Sequence, residues 1–298
     1  MKEFPPYDNI NFNDAKFTKL KNKTIPKSLF KYTSTKHVKS ILLDDLIYLP
    51  RTYELNDPYE GELLYDSEKI KNTYRKHNLE YLKSELFKNE SFRDMDKEDL
   101  DFILNLIIDA RAPNSIEQLK EYLEDSVSVL CFSKTNKINS LWAHYADNHR
   151  GICIEYNIPK CDIQFIKDFC FEVEYVKLSD TTSEINNYFE DSYVDLNLMI
   201  KPLLKKSEDW SYEEEWRIIL HDHFLSQNHN NYYSDKHYIR FIKPEAVYMG
   251  FEISENDEKL VKDICKIRDI DLFKAKKDSN NYKFDFEKIN LEENQDSL

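Results

Sequence analysis

Glu213 and Glu215 stand one residue apart, beside Arg217, in the run WSYEEEWRIIL over 210–220. If that run is a strand, its alternation turns both carboxylates to one side. One carboxylate fixed beside a sugar stabilises the positive charge that builds as a bond to the ring breaks, and its neighbour can orient or deprotonate an attacking group. The structural alternative is an exposed strand face laced with ion pairs. A second polar concentration lies in SVSVLCFSKTNKINSLWAHYADNHRGICIEY over 126–156, which holds Ser133, His144, His149, Arg150 and Glu155. The third is RTYELNDPYEG over 51–61. There Asn-Asp-Pro signals a turn, and Asn56 and Asp57 either fold back on the backbone or enter a site.

The 126–156 stretch reads as strand, helix, strand. Ser126 to Phe132 is β-branched and apolar, Asn139 to Asn148 has apolar residues at helical spacing, and Gly151 to Tyr156 is again strand-like. Trp142, Tyr145, Ala146 and His149 fall at i, i+3, i+4 and i+7, on one face of a helix capped by Asn139 or Ser140 and released by Gly151. As core anchors, Trp142 and Tyr145 need do no more than pack that helix on a sheet.

Composition bounds the answer. A chain of 298 residues, 41% hydrophobic and 14% aromatic, can bury a substantial core. The net charge of -14 argues against general affinity for nucleic-acid backbones or anionic membranes, although a local basic groove is compatible with it. MKEFPPYDNI lacks an apolar leader core, and no window reaches membrane-spanning hydrophobicity, so a cytoplasmic protein is expected. Five cysteines without a C-x-x-C spacing support neither a zinc ribbon nor a disulfide scaffold. With three glycines there is no phosphate-cradling loop, so a bound nucleotide must be held largely by side chains. His221 and His223 alternate but lack a carboxylate at metal-ligand spacing, and no metal is expected.

In chain order, residues 1–24 read as an irregular arm with Pro5 and Pro6 adjacent, 25–289 as one α/β domain and 290–298 as a frayed tail. Strands are expected near 29, 47, 128, 152, 173 and 217, with further short ones at 238–242, 246–249, 272–275 and 283–286. Helices are expected at 35–43, 183–206 and 254–265, the last with Ser254 and Asp257 at capping-box spacing. Residues 67–125 read as a charged helical insertion, with a new helix starting at Asn114 or Ser115. The fold class is therefore α/β (α+β): a mixed central sheet with flanking helices.

LFKY at 29–32, NDPYE at 56–60, CFS at 131–133, LWAHYADNHRGICIEY at 141–156 and YEEEWRI at 212–218 together resemble a bacterial family catalogued as a domain of unknown function, number 2971, over about 25–265. That resemblance implies a prokaryotic accessory protein of phage-defence or toxin systems. The order of elements is also similar to that of ADP-ribosyltransferases. This second likeness implies Lys31 at the basic residue of the first strand, Ser133 at the serine of a middle strand, Tyr145 at the aromatic of the next helix, and Glu213 with Glu215 at the carboxylate pair. Lys31 replaces an arginine or histidine and lacks the bidentate fork of arginine; FSKTN replaces a serine-threonine-serine motif.

On that likeness NAD is the substrate and a protein or nucleic acid the acceptor. Glu215 stabilises the ribosyl cation and Glu213 orients the acceptor, while Tyr145 stacks on nicotinamide and Lys31 or Arg217 faces the pyrophosphate. Tyr32, Asn56, Asp57, Trp142, His144 and His149 complete the expected binding set. Two other classes compete. One is a non-catalytic nucleotide-sensing or protein-interaction module; the other is a metal-independent nuclease built on His144 and His149, which lie about 140° apart around a helix. The side chains of Asn56, Ser133, Tyr145, His144 or His149, and Glu213 or Glu215 are expected to line one cleft, the simplest account of polar residues scattered along the chain within apolar elements.

Overall fold

A computed structural model describes residues 24–63, 65–177, 196–226, 232–233, 237–278 and 283–291. Residues 1–23 of the arm expected over 1–24, the first part of the helix expected over 183–206 and most of the tail lie outside the described residues. The strands are β1 (Leu29–Thr33), β2 (Leu46–Tyr48), β3 (Val127–Ser133), β4 (Ile152–Tyr156), β5 (Cys170–Glu172), β6 (Glu174–Val176), β7 (Lys205–Ser207), β8 (Glu215–His221), β9 (Tyr232–Tyr233), β10 (Tyr238–Arg240), β11 (Ala246–Met249), β12 (Asp271–Lys277) and β13 (Phe284–Lys288). Eight of them form one mixed sheet in the order β13-β12-β11-β4-β1-β3-β8-β5, as the expected α/β class requires. Its neighbours are antiparallel except β11 and β12, whose parallel pairing needs a crossover. The helix Glu255–Arg268 makes it, and Ser254 caps it by accepting from the Asp257 amide at 3.2 Å.

The central strands are buried on both faces. All seven residues of β8 are buried, and β3 exposes only part of Cys131. Burial on this scale explains why β3 reads as VSVLCFS, a nearly continuous apolar run. Leu29, Val129, Leu130, Ile154, Ile218 and Ile219 meet in the main apolar cluster, and a second cluster gathers Trp142, Ala146, Cys153 and Phe284. The strand expected near 47 lies in a separate three-stranded sheet, β2-β10-β9, yet Ile47 joins the main cluster. The one expected near 173 breaks at Val173: β5 pairs with β8, and β6 turns to β7.

Two helices fill the 67–126 region, α1 (Ser67–Leu86) and α2 (Lys97–Ser126), with Leu82, Leu104 and Ile108 between them. No new helix starts at Asn114 or Ser115. Pro113 stands inside α2, costing one backbone hydrogen bond that the buried row Leu104, Ile108, Ala112, Ile116, Leu119 and Leu123 outweighs.

The helix after β3, α3, is shorter than its apolar spacing implies: it spans Asn139–Tyr145, with Ile138 at the N-cap position and no side-chain cap. Asp147, Asn148 and His149 then run through three consecutive left-handed conformations, φ 48, 53 and 65°. His149 therefore returns to Trp142 through a turn and not along a helix, and their rings stack 6.2 Å apart at 9°. Gly151 closes the turn because a Cβ there would run into the Thr33 carbonyl oxygen and the Ala146 backbone.

Candidate functional site: a cleft above a buried ion cluster

A single register pair, Phe30 opposite Ser133, joins β1 to β3, whereas β3 and β8 pair along seven residues. Where β1 peels away, the segment after β2 takes its place: the Val129 amide donates to the Pro50 carbonyl at 2.9 Å, and Arg51 bridges to Ser128. A cleft of about 190 Å³ opens in this wedge, walled by Phe30, Tyr32, Leu55, Phe132, Leu141 and Tyr145. Lys31, Glu54, Asn56, Glu60, Cys131, Ser133, Lys206, Glu213 and Glu215 supply its polar lining. By register, Phe30, Ser133 and Glu215 stand side by side on three adjacent strands and share a face.

The carboxylate pair arises differently from its sequence pattern. Glu213 ends a 3-10 turn, Glu208–Glu213, Glu214 is left-handed at φ 45°, and the strand begins only at Glu215. The kink still converges the two groups, because Lys206 on β7 reaches both: its Nζ lies 2.6 Å from Glu213 Oε2 and 2.9 Å from Glu215 Oε2. Glu60 Oε1 is a third partner at 3.1 Å. Arg217 binds Glu215 through Nε at 2.8 Å and Nη2 at 3.0 Å, and donates to Glu60 at 2.5 Å and to the Leu203 carbonyl at 2.6 Å. Three carboxylates thus meet two cations, all with side chains at most 5% exposed. Charges buried this deeply persist only when paired and hydrogen-bonded.

The cluster reaches the cleft through Glu213. Its Oε1 accepts from the Tyr145 hydroxyl at 2.9 Å, and Asn56 reaches the same hydroxyl. Ser133 Oγ donates to the Glu213 carbonyl at 2.7 Å and accepts from the Thr135 amide, fixing the turn on which Glu213 sits. The Tyr175 hydroxyl accepts from the Glu215 amide at 2.8 Å.

Electrostatics divides these groups. Burial pushes the Glu215 carboxyl up, but Arg217 and Lys206 outweigh it and hold the group at about 2. For Glu60 burial prevails over the same two cations, and its pKa is raised. Burial opposes the charge on Lys206, and the three carboxylates more than restore it. Burial, then Glu213, raises Tyr145, so its phenol stays protonated and donating. Lys31 goes the other way: burial lowers its pKa, with Cys131 and Glu215 opposing only in part.

Of the residues expected from sequence, the cleft brings together Lys31, Tyr32, Asn56, Ser133, Tyr145, Glu213 and Glu215, and Arg217 sits behind Glu215. Four lie elsewhere. Trp142 is fully buried, donating to the Asn136 carbonyl at 2.7 Å and packing edge-on against Tyr32. His149 stacks on Trp142 and lies tilted against Phe251, His144 is exposed, and Asp57 folds back on the Tyr59 amide at 2.9 Å. The reason is local: Trp142 packs into the second apolar cluster, and the left-handed run over 147–149 brings His149 back onto it. Sequence reasoning missed Glu60, Lys206 and Cys131. Glu60 belongs to the NDPYE motif, but Lys206 has no local signature. Its signal is the charge balance, since Arg217 alone cannot neutralise two buried glutamates.

Among the described residues, no group of three or more His, Cys, Asp or Glu is placed to hold a metal ion, and no helix is long and apolar enough to cross a membrane. A family model described as "Protein of unknown function (DUF2971)" matches residues 141–218. The match supports the likeness to that family over a narrower span than the motifs did, from α3 through the Glu213, Glu215 and Arg217 cluster. No curated protein and no solved structure matches the chain, and the likeness to ADP-ribosyltransferases gains no support.

Proposed function

We propose that the cleft takes the nicotinamide-ribose end of NAD and breaks the bond between them, passing the ribosyl group to water or to a protein or nucleic-acid acceptor. One observation carries this reading: Asn56, Tyr145, Ser133 and the Glu213-Glu215 pair, from four separate segments, converge on one cleft with aromatic walls. Glu213 is the carboxylate that meets the ligand, because its Oε1 faces Tyr145, while Glu215 is fixed by Arg217 and Lys206 and supplies a permanent negative charge behind it. This exchanges the emphasis given to the two glutamates by sequence alone. Positive charge building on the ribose would meet a preorganised anionic wall that needs no reorganisation. Tyr32 and Tyr145 offer ring surfaces for the nicotinamide, and Lys31 lines the same cleft. Consumption of NAD, or modification of a macromolecule, would suit a defence or toxin setting.

The test is to incubate the protein with NAD and measure free nicotinamide by chromatography. Release by the wild type but not by Glu213→Gln supports the proposal; no release, with or without candidate acceptors, removes it.

A second reading has its own observation. Every charged group of Glu60, Glu215, Lys206 and Arg217 already has protein partners, as in a purely structural network. The cleft would then bind a nucleotide without turning it over, and calorimetric binding of NAD with no nicotinamide release distinguishes that case. No observation favours a nuclease, since neither His144 nor His149 lines the cleft.

A further inference from the structure

Two cations of the site are tied to carboxylates, and a third is not. Lys206 contacts three carboxylates and Arg217 two. Lys31 Nζ has a single long hydrogen bond, 3.5 Å to the Cys131 carbonyl, and lies 5.6 Å from the centre of the Phe132 ring. No carboxylate of a described residue lies within 4.0 Å of it. Regular alternation would turn Lys31 away from the face shared by Phe30 and Ser133, yet Lys31 is among the residues that line the cleft where β1 and β3 part. It faces Cys131 and Glu215, with Glu54, Glu60, Glu213 and Lys206 also lining the space.

An amine in such a place is poorly stabilised as an ammonium: it is partly buried, its one hydrogen bond is long, and no described carboxylate lies within ion-pair distance. A neutral lysine beside aromatic walls is a nucleophile toward carbonyl carbon. We propose that Lys31 captures small aromatic aldehydes or ketones as imines, with Phe30, Tyr32 and Phe132 receiving the ring. The Nζ lone pair attacks the carbonyl carbon to form a C–N bond. The two amine protons then leave with the carbonyl oxygen as water, and nothing is oxidised or reduced. This activity does not rest on NAD cleavage and stands if that reading fails.

The experiment treats the full chain with benzaldehyde and cyanoborohydride, which reduces an imine to a stable secondary amine, and reads each lysine by peptide mass spectrometry. Lys31 should be modified at least about tenfold faster than the exposed Lys137, the factor that corresponds to one pKa unit of extra neutral amine. The rate should rise from pH 6 to 8, where exposed lysines remain almost fully protonated. Lys31→Arg keeps most of the stem but cannot form the imine. It should lose the fast site while the circular dichroism spectrum stays unchanged. Modification of Lys31 no faster than that of Lys137, or fast labelling that persists elsewhere in Lys31→Arg, would overturn the proposal. Nicotinamide release, measured separately on wild type, distinguishes failure of the NAD reading from failure of this one.

Discussion

Glu213 and Glu215 share one ammonium, Lys206 Nζ at 2.6 and 2.9 Å, although one residue ends a 3-10 turn and the other begins a strand. The shared cation allows two carboxylates to be buried side by side. It also separates their roles: Glu215 is held by Arg217 as well, while the second oxygen of Glu213 is left to Tyr145.

Lys206→Met should therefore cost about 3–5 kcal/mol of folding stability, the usual loss when one partner of a buried ion network is removed. Urea denaturation measures it. Adding Glu60→Gln should recover part of that loss by removing one uncompensated charge. A loss under about 1 kcal/mol, the scale of an exposed pair, would mean that the ammonium is not the common anchor.

Much of the fold was legible because its signals are local. The apolar run of β3, the 246–249 strand and the Ser254 cap each depend on a few adjacent residues. What sequence could not give depends on partners far along the chain. Lys206 acquires meaning only when Glu60, 146 positions earlier, is folded onto it. The E-E-E-W-R alternation mimics a pleat through the 3-10 turn before β8, whereas the left-handed Glu214 resets the phase. Trp142 and His149 had a helical spacing that a turn satisfies equally well, and their stacking belongs to the core. The polar residues of the cleft were visible by type; the wedge that gathers them, set by one β1-β3 register pair, was not.

The buried His221 makes stability depend on pH. Burial lowers its pKa from 6.5 to about 4, against the opposing pull of Asp222. The unfolded chain thus takes up a proton before the folded one does. The stabilisation is complete above the unfolded value of 6.5 and is lost as pH falls toward the folded value of about 4. Its size is about 3 kcal/mol at about 1.4 kcal/mol per pH unit. Urea midpoints measured from pH 7 to 4 should fall, and His221→Phe should flatten that slope. An unchanged slope in the variant would assign it to other groups.

Gly151→Ala should destabilise by about 1–3 kcal/mol, the range for overpacking, since the new methyl meets backbone at Thr33 and Ala146 rather than a side chain that can move. A thermal unfolding scan checks it. An unchanged midpoint would show that the turn after α3 tolerates a Cβ.

Tyr145→Phe removes the hydroxyl that bonds Glu213 Oε1 and is reached by Asn56. The ring surface remains, so ligand affinity should change little, while turnover should fall about 10-fold or more as Glu213 loses its orientation. Comparing KM with kcat for nicotinamide release separates the two effects. An equal loss in binding would make Tyr145 a ligand contact only.

Nicotinamide release by Glu213→Gln, measured beside NAD affinity by calorimetry, tests the central claim most directly. Glutamine keeps the shape of the side chain and removes its charge. The predicted result is release reduced about 10² to 10³-fold, the scale of one transition-state electrostatic contact, with affinity within about threefold of wild type. Release that is absent from the wild type as well, or equal in the two proteins, would contradict it.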